Sequence, residues 1–140
     1  MTVREIINIA AHMGYPTDAP ASEAYLHTLE KYIAEHHIVG AEGYLSLVRA
    51  ADGFSLNGLN VEPVAPAEGS DEPSVIALNE YDYDPETLFV IATADDDMLC
   101  YDYASKQWCV GDAGSQDIYD NERFATSAEL LEHSVKKYSS

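Results

Sequence analysis

The sequence predicts an α+β fold: N-terminal helices, an antiparallel sheet of about five strands and a C-terminal helix, in a single domain over residues 1–140. Three observations predict it. Apolar residues recur at helical spacing up to about residue 51, and again after Thr126. Between these regions, Asn57-Gly58 carries a hairpin signal. The stretch Leu88 to Gly111 then reads as a strand, an acidic turn and a second hairpin. No internal repeat or compositional break divides the chain.

Thr2 to Met13 reads as the first helix. Thr2 and Glu5 have capping-box spacing, and Ile6, Ile7, Ala10 and Met13 recur near the helical period. Gly14 fits the stop, with Pro16 beyond it. The segment is short and holds only Arg4 as a base, so core packing outweighs a membrane-surface role. Ala21 to Val39 is the second helix, with an apolar stripe of Tyr25, Leu26, Leu29, Tyr32, Ile33 and His36 and a stop at Gly40. His36 and His37 adjoin, but neighbours on a helix point about 100° apart and chelate poorly. Ala41 to Ala51 is the third helix, with Tyr44, Leu45 and Val48 on one side and Gly53 after it. Phe54 to Leu56 and Leu59 to Val61 flank the Asn57-Gly58 turn.

Pro63, Pro66, Gly69 and Pro73 make a loop of the following region. Ser74 to Asn79 fits a short strand or one turn of helix. Tyr81 to Pro85 reads as a loop at one edge of the core. Leu88 to Thr93 is apolar on both alternating faces, as expected of a strand covered on both sides. Asp95, Asp96 and Asp97 form the turn. Met98 to Tyr103 and Gln107 to Val110 pair through Ala104-Ser105-Lys106. The simplest register sets Tyr103 opposite Trp108 and Tyr101 opposite Val110. Leu99, Tyr101, Tyr103, Trp108 and Val110 then share a face, with Cys100 and Cys109 diagonal on the other. Ser115 to Asn121 supplies the last strand. Thr126 and Glu129 form a second capping box for a helix running to about Tyr138. Its apolar face is Leu130, Leu131, Ser134, Val135 and Tyr138, and Lys136 and Lys137 lie at its negative pole.

The sign of the charge is the unusual property. There are 25 acidic against 7 basic residues, a net charge of −18 and a pI near 4.2. Such a surface disfavours direct nucleic-acid binding and attracts basic proteins. The bland alternative is a surface made for solubility. From Glu80 to Glu122, Lys106 is the only base in a run of acids. Met1 to Met13 lacks the basic and long apolar regions of a signal peptide, and no window approaches the roughly 18 apolar residues of a membrane span. Two cysteines are too few for a secreted disulfide framework, so a cytoplasmic protein with reduced thiols is expected.

Catalytic signatures are absent from the sequence. Asp95–Asp97 lacks the spaced acidic frame and downstream glutamate of a calcium loop. Asp82 and Asp84 resemble paired catalytic carboxylates only in composition. There is no nucleophile elbow and no phosphate-binding glycine loop. The expectation is therefore no enzyme, no metal and no cofactor. A binding surface fits better. Tyr81, Asp82, Tyr83 and Asp84, then Asp95, Asp96, Asp97 and Asp102, then Asp117, Tyr119 and Asp120 form a Tyr/Asp-rich acidic rim. Tyrosine offers contact area at small entropic cost, and aspartate offers charge-assisted bonds to Lys and Arg.

Several stretches carry a resemblance to a known family. They are Gly43-Tyr44-Leu45-Ser46-Leu47-Val48 followed by Ala51-Asp52-Gly53-Phe54, then Asn57-Gly58-Leu59. Further on come Leu88-Phe89-Val90-Ile91, Asp96-Asp97, Leu99-Cys100-Tyr101-Asp102, and Phe124 with Ser127-Ala128-Glu129-Leu130-Leu131. Together, over about residues 40–138, they resemble the SUKH superfamily, YrhA-like branch. Asp52 departs from the usual Asn, and Ala94 from the usual Gly. The resemblance implies an α+β immunity protein that binds and neutralises a cognate bacterial toxin, often a nuclease or deaminase. A −18 chain complements the basic surface that a nuclease-type toxin domain needs. The alternatives are a small cytoplasmic enzyme or metal-dependent sensor with an acidic pocket, and a regulatory binding module without a toxin.

Overall fold

The structure, a computed structural model, describes residues 1–14 and 20–139. The expected helix-breaking role of Pro16 lies outside the described residues. The elements are α1 (Val3–His12), α2 (Glu23–Glu35), α3 (Glu42–Ala50), β1 (Ser55–Leu56), β2 (Leu59–Val61), α4 (Ser74–Tyr81), β3 (Leu88–Ala94), β4 (Asp97–Asp102), β5 (Gln107–Asp112), β6 (Ile118–Phe124) and α5 (Ser127–Tyr138). The α+β class holds, with six strands in place of about five. The sheet is an antiparallel meander in chain order β1-β2-β3-β4-β5-β6. The main helices build one apolar layer with Phe89, Ile91, Leu99, Tyr101, Trp108 and Val110 of the sheet. Helix α4 contributes to both sides: Val75 and Ile76 join the main layer, while Leu78, with Tyr83, Ala113 and Ile118, covers Leu88, Val90, Met98, Cys100 and Cys109 on the reverse face. This two-sided cover is why β3 is apolar at nearly every position.

Local chemistry sets the helix ends. Thr2 and Thr126 cap α1 and α5, each accepting the N–H of the residue three on, Glu5 or Glu129, at 3.2 Å. Helix α2 stops at His36, short of the expected Val39. His37 takes a left-handed φ of 56°, and the N–H groups of His37 and Ile38 donate back to Ala34 and Ile33. That pattern closes a helix C-terminus by satisfying its free carbonyls. His36 stacks on Tyr32 at 3.9 Å and its Nδ1 lies 2.8 Å from the Tyr32 carbonyl.

The α2–α3 junction is tied to α5 and to β5. Trp108 Nε1 donates to the Val39 carbonyl at 2.8 Å, and the Ser127 N–H donates to Gly40 O at 2.8 Å. Ser127 Oγ accepts the Tyr44 N–H at 3.0 Å. Gly43 lies against Ala128 so closely that a Cβ would stand 2.5 Å from the Ala128 Cα. The Tyr44 hydroxyl, fully buried, donates to the Glu62 carbonyl at 2.6 Å. Asp52 accepts the N–H groups of Val64 and Ala65 at 2.7 and 2.9 Å. These bonds anchor the loop that follows β2.

Three expectations require correction. Ser74 to Asn79 is neither a strand nor one turn but the body of an eight-residue helix. It buries Val75, Ile76 and Asn79, and Pro73 begins it by accepting the N–H groups of Ile76 and Ala77. The β4–β5 register is Tyr101↔Trp108 and Leu99↔Val110, two residues from the expected one, so Tyr103 has no strand partner. Asp102 causes the longer loop. Its carboxylate takes the Ser105 hydroxyl at 2.7 Å and the Ala104 N–H at 3.3 Å, and Lys106 turns at φ 58°. A two-residue slip leaves the faces unchanged, but it sets Cys100 directly opposite Cys109 rather than diagonal to it. Both thiols are free and buried. Finally, the turn proper is Asp95 and Asp96, since Asp97 already pairs with Ala94 and Asp112 in the sheet.

Candidate functional site

The predicted acidic rim falls at three places. The first is the corner where β3 turns into β4. Asp95 sits there at φ 54°, and Asp96 O accepts the Ala113 N–H at 2.8 Å, drawing in the loop after β5. Within that loop Asp112 N–H donates to Asp117 O at 2.8 Å, and Asp112 Oδ1 accepts the Gly114 N–H at 2.8 Å. Tyr119 reaches from β6 and donates its hydroxyl to Asp97 Oδ1 at 2.8 Å. That bond, with burial and the charges of Asp97, Asp112 and Glu122, pushes the Tyr119 hydroxyl up to about 12. Tyr138 of α5 belongs to the same corner. Burial raises its pKa first, and then the charges of Asp97, Asp95 and Glu122. Asn57 Nδ2 donates to the Tyr138 carbonyl at 2.7 Å, so the Asn57-Gly58 turn borders the corner too.

The second place is the C-terminal end of α4, on the reverse face. Tyr81 is 77% exposed. Asp82 caps the helix and is exposed. Tyr83 folds inward against the reverse-face apolar cluster. Burial raises its pKa, followed by the charges of Glu62, Asp82 and Cys100. Asp84 is engaged locally, accepting the Thr87 hydroxyl at 2.8 Å and the Glu86 N–H at 3.0 Å. Those bonds hold its carboxyl below the usual range.

The third place is the far end of β4. Asp102 closes the β4–β5 hairpin and lies 3.6 Å from Arg123 Nη1. Asp120, fully exposed, lies 3.9 Å from Arg123 Nη2. Asp97 and Asp102 mark opposite ends of a six-residue strand, roughly 17 Å apart. Asp102 and Asp120 therefore form a local Arg123 cluster apart from the turn, and Asp102 is a loop-closing residue.

Sequence reasoning missed three acids and one tyrosine. Glu62 is held above the usual carboxylate range by burial and then by the Asp82 charge. Glu72 is raised by burial and then by its interaction with Glu80. Asp112 and Tyr138 join the first corner. The inward–outward alternation of β2 sets Glu62 on the outward side with Asn60, so its burial carried no signal in the sequence. The others are brought near their partners only by tertiary folding.

A cavity of about 710 Å³ opens between the start of α2 and the β1–β2 hairpin, with Tyr25, Asp52, Asn60 and Glu62 on its walls. Asp52 is already occupied by its two backbone bonds there. Among the described residues, no group of three or more His, Cys, Asp or Glu side chains is arranged to hold a metal ion. Among the same residues, no helix is long and apolar enough to cross a membrane. No protein-family model matches the chain, and neither the curated proteins nor the solved structures contain a match.

Proposed function

We propose that this is a cytoplasmic immunity-type binding protein of the SUKH kind, which neutralises a basic, nuclease-type toxin domain by covering it with an acidic surface. The observation that carries this reading is the set of acids left without cations. The described ion pairs engage Glu30, Glu35, Asp102, Asp120, Glu122 and Glu132. They leave Asp95, Asp96 and Asp97 at one corner, with Tyr119 and Tyr138 beside them, and Asp82 and Glu62 at the other. Carboxylates clustered in this way repel one another, and cations from a partner relieve the repulsion while steering the encounter. Tyrosines beside them supply the contact area.

This reading expects a toxin gene beside the one for this chain, and the test is co-expression with the C-terminal domain of the protein that such a gene encodes. Relief of toxicity, with a complex whose association rate falls as salt rises, supports the proposal. If the domain is harmless, or stays toxic in the presence of this protein, the immunity reading is wrong. Reversing Asp95, Asp96 and Asp97 to Lys then asks whether that corner is the contact, with unfolding curves to show that the domain stays folded.

A further inference from the structure

A shallow groove of about 260 Å³ runs along the outer side of α4, between the helix and the loop after β2. Its lining combines Ala77 and Leu78 with Glu62, Glu72 and Asp82, together with Tyr81, which is largely exposed. We infer that this groove is the receptor for a single lysine or arginine side chain presented by the basic partner, and that it is the anchor point of the complex. The inference rests on the proposed binding of a basic protein and adds where and how that partner is held.

Size and chemistry both point to a side chain. Small-molecule sites usually measure roughly 300–1,000 Å³, and this groove falls below that range. Lys and Arg carry an apolar stem and a charged head, so they match a lining that combines Ala and Leu with acids. Tyr81 adds an aromatic ring to the same lining, which a cation can use. None of the described ion pairs engages Glu62, Glu72 or Asp82. Burial and the Asp82 charge disfavour ionised Glu62, a penalty that an incoming cation removes. The Asp95–Asp97 corner carries its charge on a tight turn, with Asp95 and Asp96 exposed. It is suited to steering, whereas anchors sit in pockets with an aromatic wall.

The experiment uses the isotopically labelled chain and two short peptides, one with a central Arg or Lys flanked by Gly and Ser, the other with the basic residue replaced by Gln. Backbone amide shifts are followed at low salt. The expected result is that the basic peptide shifts the amides of residues 62, 72, 77, 78, 81 and 82, and the Gln peptide does not. Glu62→Gln and Tyr81→Ser should each weaken that binding about fivefold. Glu62→Gln keeps the backbone carbonyl that Tyr44 uses, so the fold is retained and the unshifted amides check it. Shifts confined to residues 95–97 and 112–119 would overturn the groove while leaving the basic-partner reading intact. Equal shifts from both peptides would likewise overturn it. Peptide shifts at the groove together with failed toxin neutralisation would support the groove and reject the immunity reading. No shift anywhere would overturn the groove as a receptor.

Discussion

The side-chain amide of Asn79 pairs with both backbone groups of Val90. Nδ2 donates to the Val90 carbonyl at 2.8 Å, and Oδ1 accepts the Val90 N–H. Nδ2 also donates to the Val75 carbonyl at 2.8 Å. Val90 begins the register shift in the β3–β4 pairing, where Ile91 is the extra residue and both Ile91 and Ala92 join the main core. A single buried amide therefore holds α4 to the sheet at its irregular point.

Asn79→Ala leaves two buried backbone groups without partners. The expected loss is about 3 kcal/mol, read from urea unfolding. A loss under about 1 kcal/mol would mean that the bulge does not depend on Asn79.

Gly43→Ala is expected to destabilise by about 2 kcal/mol, although alanine is the better helix former. The added Cβ meets backbone atoms of Ala128 rather than a movable side chain, so α3 and α5 must separate. An unchanged melting temperature would show that the two helices shift apart at little cost.

Tyr119 titrates late because its neutral hydroxyl donates to Asp97. Its folded pKa is about 12 against an unfolded value near 10. The neutral form is favoured on folding, so this stabilisation is complete below about pH 10 and falls as pH rises from about 10 to 12. Comparing unfolding curves of wild type and Tyr119→Phe over that window should show the wild type losing its margin. Parallel curves would mean that the bond is absent in solution.

Cys100 and Cys109 face each other across β4 and β5, fully buried. Burial raises both thiols above their ordinary pKa, Cys100 strongly, and for Cys109 the nearby Arg123 partly offsets the rise. The native protein should resist a maleimide reagent at neutral pH, and both thiols should react on unfolding. Rapid native labelling would show that the α4 side of the sheet opens.

The caps at Thr2 and Thr126, the Asn57-Gly58 turn and the two-sided burial of β3 were legible because each depends on residues close in sequence. The β4–β5 register was not. Strand alternation has period two, so pairings that differ by two residues place the same side chains on the same faces. The Asp102 carboxylate, closing a four-residue loop, selects between them. Helix α4 was ambiguous because eight residues are too few to separate a helical period from a short buried strand.

The candidate surface divides the same way. Charge is additive along a chain, so its sign, its excess and its concentration between Glu80 and Glu122 follow from the residues alone. The layered α+β class follows from them as well, because apolar periodicity is local. Which carboxylates remain open to a partner was decided only by the tertiary structure. Asp84 and Asp102 are occupied by local hydroxyls and N–H groups and Asp97 by the Tyr119 hydroxyl, while Asp95 and Asp96 stand exposed at the turn. Glu62 meets Asp82 only after folding. The physical reason is that a carboxylate's availability depends on the groups that fold against it, and here many of those come from distant positions in the chain.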